Sequence, residues 1–197
     1  MRRSTIQIYC AGLWKNTLPL DLLWYRERNE TLLQPSVVLD VPARRAPSWA
    51  WASVNGQIMY YEHLYLPSRV RKKIFCEVLQ AECTAAGQSV TGEVTAGFIR
   101  LACSILQVSY HHGELSLKNQ GIQFCSDNRT DLEEGIFYIV RMARFTRRKE
   151  ETFLVVKAID ASEMRFVRVG LAWSKTPGGG RWPEEMKNLV WPEITII

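Results

Sequence analysis

The sequence lacks the segments that insert a chain into a membrane or send it out of the cell. It contains no run of about 18 or more apolar residues, the length of a membrane-spanning helix. The opening Met-Arg-Arg-Ser-Thr is charged, but no apolar stretch of roughly 7–15 residues follows it, as one would in a secretory signal. We therefore expect a cytoplasmic protein with no membrane partner.

The chain has only three histidines. Because cytoplasmic thiols are kept reduced, we expect reduced thiols at all five cysteines, which are odd in number and lack C-x-x-C spacing: Cys10, Cys76, Cys83, Cys103 and Cys125. A metal site could be drawn from the pair His111-His112 with Cys103, Cys125 and Asp127. Zinc ligands come in pairs at short fixed spacings, and that spacing is missing. A polar turn with incidental histidines is the favoured interpretation, so we predict no metal.

The motifs of common catalytic sites are also missing. The chain has no G-x-S-x-G elbow for a nucleophilic serine, and the glycine run at 178–180 lacks the Lys-Ser/Thr of a phosphate-binding loop. Four acidic residues cluster after a turn-like stretch, and a solvated acidic loop is favoured for them; they are Asp127, Asp131, Glu133 and Glu134. We predict a non-enzymatic chain that needs no cofactor.

Charge is nearly balanced. The 25 Lys and Arg residues exceed the 20 Asp and Glu residues by five, which permits an anionic partner without requiring one. Two basic clusters would form a nucleic-acid platform if the fold joined them around exposed tyrosines, although solvated sheet edges are the favoured interpretation. The clusters are Arg69, Arg71, Lys72, Lys73 and Arg141, Arg144, Arg147, Arg148, Lys149, and the tyrosines are Tyr60, Tyr61 and Tyr65.

Aromatic residues are plentiful, with seven each of Trp, Tyr and Phe, and about ten short apolar segments have the length and spacing of strands. We predict a single mainly β domain, a β-sandwich or partly open barrel with one or two short helices. Residues 43–197 would form the β core, and residues 1–35 would pack on it through a short helix at 18–25. The segment 94–110 is too long for one strand and should break near Ala102 and Cys103. A meander is predicted at 136–145, 152–159 and 164–173, a second short helix at 183–189 and a last strand at 193–197.

The stretch around Trp49 and Trp51 predicts a β-hairpin. The two tryptophans alternate with alanines, as on a strand, and Asn55-Gly56 has the residue types of a type I′ turn. That register would place Trp51 opposite Tyr60 and bury both tryptophans, although an exposed Trp49/Trp51 stripe that stacks on sugars is the alternative.

Three motifs in the first third of the chain resemble a known family. They are the Ala-Gly-Leu-Trp that ends at Trp14, the Leu-Leu-Trp-Tyr that contains Trp24, and the Arg-Ala-Pro-Ser-Trp-Ala-Trp-Ala-Ser that runs from Arg45 through Pro47, Trp49 and Trp51 and precedes Asn55 and Gly56. The sequence resembles the region that follows the HET domain in fungal heterokaryon-incompatibility proteins. In that family the long motif reads Trp-Ser-Trp at its centre, where this chain has Trp-Ala-Trp.

The resemblance implies an accessory or regulatory module rather than the cell-death effector, which is the HET domain upstream. Only about ten residues precede the first motif, so we expect a truncated or stand-alone form whose partner is a HET-type effector, with homo-oligomers left open. The alternative is a free-standing β module that binds nucleic acid or glycan, with nucleic acid disfavoured.

Overall fold

The computed structural model describes residues 9–15, 17–27, 46–61, 72–87, 94–117, 120–127, 132–145, 150–175 and 191–197. These residues contain two one-turn 3-10 helices, η1 (Leu20–Leu22) and η2 (Trp51–Ser53), and fourteen strands. The strands are β1 (Tyr9–Cys10), β2 (Leu13–Trp14), β3 (Trp24–Arg26), β4 (Ile58–Tyr60), β5 (Lys72–Ile74), β6 (Cys76–Ala85), β7 (Val94–Cys103), β8 (Ile105–His111), β9 (Glu114–Leu117), β10 (Gln120–Ser126), β11 (Gly135–Phe145), β12 (Glu150–Asp160), β13 (Arg165–Lys175) and β14 (Glu193–Ile196).

Six of the strands close into a barrel in the order β10-β9-β8-β11-β12-β13, with β13 paired back to β10. The closing pair is β10 with β13, which runs from Gln123 opposite Trp173 to Ser126 opposite Gly170. The predicted mainly β fold is confirmed, and so is the meander, which forms β11, β12 and β13.

The three meander strands are buried on both faces and separate two apolar cores. Phe137 and Ile139 belong to a core built from all six barrel strands, which is the barrel interior. Their neighbours Tyr138 and Val140 point the opposite way, because successive side chains of a strand alternate, and they join a larger core shared with β6, β7, β14 and the N-terminal segment. The second core is therefore what attaches the rest of the chain to the barrel.

Strands β6 and β7 pair as a two-stranded antiparallel ribbon, and their neighbours β5 and β8 separate to pair with different parts of β11. One edge of β11 pairs with β8 up to Val140 and then with β5 from Ala143 onward. On the other edge, the pairing of β11 with β12 has a register shift between Arg141 and Ala143. β8 continues β7 after Ser104, and β6 continues β5 after Phe75. The predicted break in segment 94–110 is confirmed at Ser104, and we call this division of β6 and β7 onto β11 the ribbon fork.

The predicted Trp49–Tyr61 hairpin is wrong. Residues Trp51–Ser53 form η2, Asn55 is not among the residues with positive φ that a type I′ turn requires, and Tyr60 pairs with Trp24 instead of Trp51. The serine hydroxyl explains the local outcome, since Ser53 Oγ donates to the Ala50 carbonyl at 2.7 Å and so satisfies the turn. β4 therefore pairs with β3, and sequence periodicity does not indicate that pairing.

The predicted helix at 18–25 is also largely wrong. Only Leu20–Leu22 is helical, and Trp24 already belongs to β3. The strand pairing with β4 outweighs the weak helical preference of so short a segment. The predicted helix at 183–189 lies outside the described residues, as do residues 28–45, so the division at 35 and 43 stays a prediction. Among the described residues, no helix has the length and apolar character that crossing a membrane requires.

Candidate functional site

The three sequence motifs meet at one place, which we call the motif junction: residues 11–14, 22–26, 46–53 and 58–61. The indole nitrogen of Trp24 donates to the Trp49 carbonyl at 3.2 Å, and that of Trp51 donates to the Gly12 carbonyl at 3.3 Å. Gly12 has a φ of +90°, and a Cβ there would lie 2.5 Å from the Trp51 indole nitrogen. A glycine is thus required in the first motif for a tryptophan of the third to pack against it.

A buried arginine of the barrel holds the junction. Arg168 of β13 makes an ion pair with Asp127 at 2.8 Å and donates to the carbonyls of Leu22 at 2.7 Å and Trp24 at 2.6 Å. Its guanidinium carbon lies 3.3 Å from the centroid of a Trp24 ring, within the range of a strong cation–π contact. One side chain therefore joins the second motif to the barrel.

The electrostatics of this pair are those of two charges withdrawn from water. Burial raises the pKa of the Asp127 carboxyl, and Arg168 opposes that rise. Burial likewise lowers the pKa of the Arg168 guanidinium, and Asp127 opposes that fall. Each charge is tolerated because the other is present, so removing either one leaves an unpaired ion in an apolar site.

Ser48 ties the third motif to the same strand and to the last one. Its hydroxyl accepts a hydrogen bond from the Arg168 backbone N–H at 3.0 Å and donates to the Ile197 carbonyl. The Ser48 N–H also donates to the Ile197 carbonyl, at 3.2 Å. The third motif therefore hydrogen-bonds both to β13 and to the residue that follows β14, the strand paired with β13.

Two motif tryptophans stay partly exposed. Trp14 is 43% exposed and Trp51 is 39% exposed, whereas Trp24 and Trp49 are fully buried. Both exposed rings flank the Ala11-Gly12 turn, and the Trp14 ring packs edge-on against Tyr9 with 5.1 Å between centroids. The junction thus presents an aromatic surface while its centre is closed.

The structure distributes the remaining predicted motif residues around this junction. Pro47 is buried and Tyr60 is half-buried in β4, and Asn55 and Gly56 are exposed. Arg45 lies outside the described residues. Sequence reasoning missed Arg168 altogether, although a lone arginine inside the apolar run 166–171 was a signal that a buried partner existed.

A cleft of about 350 Å³ opens beside the third motif. Its polar groups do not pair a nucleophile with a general base. The Ser48 hydroxyl donates its hydrogen bond to the Ile197 carbonyl, and no described histidine lines the cleft. The lining residues are Ala46, Pro47, Ser48, Glu82, Cys83, Thr84, Thr95, Ala96, Gly97, Phe98 and Ile197.

The residues of the drawn metal site lie apart. His111 and His112 are exposed and both contact Glu134, the ring of His111 at 3.3 Å and the backbone N–H of His112 at 3.0 Å. These contacts lower the pKa of the Glu134 carboxyl, the His112 N–H contributing most. Cys103 and Asp127 are buried elsewhere, and no cluster of three potential metal ligands occurs in the part of the chain that the structure describes.

The predicted acidic loop is wrong at its first member, since Asp127 is the buried partner of Arg168. Glu133 does lie at the surface, 3.4 Å from Lys157, and Glu134 is also exposed. Asp131 lies outside the described residues. Asp127 follows directly on β10, so its carboxylate is carried by the closing strand of the barrel.

The two basic clusters meet only in part. Lys73 pairs with Arg144 between β5 and β11, but Arg141 is buried, bound to Glu151 at 2.9 Å and stacked 3.6 Å from the Phe75 ring. Tyr61 is buried as well, and its hydroxyl donates to Glu150 at 2.7 Å. Arg69, Arg71, Arg147, Arg148, Lys149 and Tyr65 lie outside the described residues.

The expectation of reduced thiols is wrong for two cysteines. Cys10 and Cys83 form a disulfide between β1 and β6, with Cα atoms 5.8 Å apart. Cys76, Cys103 and Cys125 take no part in that disulfide, and all three are buried. The pairing was invisible in the sequence because the two residues are 73 positions apart and meet only through the fold.

Comparison with known proteins found no matching family model, no matching curated protein and no matching solved structure. The likeness to the region after the HET domain therefore depends on the motif residues alone.

Proposed function

We propose that this chain is a non-catalytic accessory module of the kind that follows the effector domain in heterokaryon-incompatibility proteins. The observation that carries the proposal is the motif junction. Residues that resemble the family at three separate places in the chain contact one another directly and are held by one buried arginine. Such motifs serve a shared architecture, whereas catalytic motifs would converge on titratable groups in a cleft.

The two exposed tryptophans keep a large part of each ring outside the contacts of the junction. Tryptophan is enriched at the energetic centres of protein interfaces, and Trp14 and Trp51 flank a single turn in the first motif. In the resembled family the effector precedes that motif, so this turn and β1 directly before it are the described part of the module nearest to the effector along the chain. We assign the contact with a HET-type effector to the surface around Trp14 and Trp51.

The proposal is tested in a fungal host. Expressing this chain alone should leave cells viable, and co-expressing it with a HET effector domain should change the rate of effector-induced death. Replacing both Trp14 and Trp51 with Ala should abolish that change and weaken binding of the two purified proteins at least tenfold. Replacing the exposed Ile136 and Ile159 with Ala is the matched control and should have no effect. Robust death from this chain alone would overturn the assignment.

A nucleic-acid binding module is the second candidate, favoured by the pairing of Lys73 with Arg144 on adjacent strands. Such binding would weaken steeply with added salt, since counterions released from phosphates drive it. Replacing Lys72 and Lys73 with Gln should then lower the affinity for single-stranded oligonucleotides and reduce its salt dependence. Affinity that is absent at low salt would eliminate this candidate.

A further inference from the structure

Two of the free cysteines face each other across the β6–β7 ribbon. Cys76 is the register partner of Cys103, and both side chains are buried in the same core. They are the last paired residues of the ribbon at the ribbon fork, next to Phe75 and Ser104, which hydrogen-bond to β11. The Phe75 N–H donates to the Met142 carbonyl at 2.9 Å, and the Ser104 carbonyl accepts from the Arg141 N–H at 3.0 Å.

The backbone places this pair at the closer of the two kinds of antiparallel site. The Cys103 N–H donates to the Pro192 carbonyl at 3.2 Å, so it points toward β14 and away from β6. Partners whose N–H groups point away from each other form a non-hydrogen-bonded pair, with Cα atoms about 4.5 Å apart and side chains close together. That spacing lies at the short end of the range of about 4.4–6.8 Å that a disulfide bridges.

We propose that Cys76 and Cys103 form a second, cross-strand disulfide that fastens the ribbon fork. The first disulfide binds Cys83, near the end of β6, to Cys10. With the second disulfide at Cys76, the ribbon would carry a disulfide near each end of β6. Four of the five cysteines would then be paired, and Cys125, whose thiol donates to the Arg26 carbonyl at 3.1 Å, would be the one thiol left.

The oxidant is a small-molecule disulfide such as oxidised glutathione. One cysteine thiolate attacks it, forming a mixed disulfide and releasing one glutathione thiolate; the second cysteine thiolate then displaces the other glutathione. Two protein thiols lose two protons and two electrons, and one oxidised glutathione becomes two reduced ones. Burial raises the pKa of Cys76 to about 12 and also raises the pKa of Cys103, so the thiolates are scarce in the closed ribbon. The bond should form while the ribbon assembles.

The test is oxidative refolding of the full chain. Reduced, denatured protein is refolded with reduced and oxidised glutathione at pH 8, free thiols are blocked with N-ethylmaleimide, and the unreduced protein is cleaved after glutamate. Cleavage after Glu77 and Glu82 puts Cys76 and Cys83 in separate peptides. Mass spectrometry should find Cys76 linked to Cys103, Cys10 linked to Cys83, and Cys125 alkylated.

Variants separate this pairing from random oxidation. Cys125→Ser should leave both linked peptides unchanged, and Cys103→Ser should remove only the Cys76 link and leave Cys76 alkylated. If the wild-type chain yields the Cys10–Cys83 peptide while Cys76 and Cys103 are both recovered alkylated, the proposal is overturned. Linkage of either residue to Cys125 would overturn it too.

Discussion

Trp49 and Trp51 stand two residues apart in one motif and lie in opposite environments. Trp49 is fully buried and its carbonyl accepts the hydrogen bond from Trp24. Trp51 lies over Gly12 with 39% of its surface exposed. Alternation with alanine predicts that both lie buried on a strand. That pattern does not distinguish a strand from an extended segment that ends in a one-turn helix, which is what the structure shows.

At the residue scale, we predict that Trp49→Ala and Trp51→Ala differ sharply in stability. Loss of the buried ring should lower the free energy of unfolding by about 3–5 kcal/mol. Loss of the exposed ring, with its single long hydrogen bond, should cost about 1 kcal/mol or less. Urea denaturation of the two purified variants measures both, and equal losses would show that Trp51 is not a surface residue.

At the scale of elements, the barrel closes where two strands come unusually near. A Cβ on Gly170 of β13 would lie 2.3 Å from the Cys125 carbonyl oxygen of β10 and 2.6 Å from the Phe124 ring. Backbone atoms cannot swing aside as a flexible side chain does. The close approach of β10 and β13 therefore requires glycine at this position.

Gly170→Ala should separate β10 from β13 and lower the free energy of unfolding by about 1–3 kcal/mol, as overpacking does. Amide hydrogen exchange in β10 should rise more than exchange in the β6–β7 ribbon. Gly87→Ala is the control, because a Cβ there meets nothing within 4 Å. A Gly170→Ala protein as stable as the Gly87→Ala protein would contradict this account of barrel closure.

Some elements that depend on local pattern could be predicted, but the locally predicted hairpin at Trp49–Tyr61 and helix at 18–25 were wrong, and pairings with distant partners could not be predicted. The meander followed from apolar segments separated by turns, and the break at Ser104 followed from the length of a single strand. The partner of β4, the closing pair of β10 and β13, and the disulfide of Cys10 with Cys83 all join residues far apart in sequence. Local sequence pattern does not indicate which of several distant segments will pair.

At the scale of the whole molecule, β11, β12 and β13 serve two cores, and Arg168 connects the segment outside the barrel to the strand that closes it. The same side chain contacts the second motif through two carbonyls and a ring, while Ser48 of the third motif accepts from its backbone N–H. The three motifs therefore depend on a barrel residue that belongs to none of them.

The central claim, that the Arg168–Asp127 pair fastens the motifs to the barrel, is tested by a double-mutant cycle of unfolding free energies. Arg168→Met and Asp127→Asn should each cost about 3–5 kcal/mol, because each leaves a buried charge without its partner. The double variant should cost at least about 1 kcal/mol less than the two single losses added together. Single losses within about 0.5 kcal/mol of wild type, the range of surface substitutions, or strictly additive losses would contradict the claim.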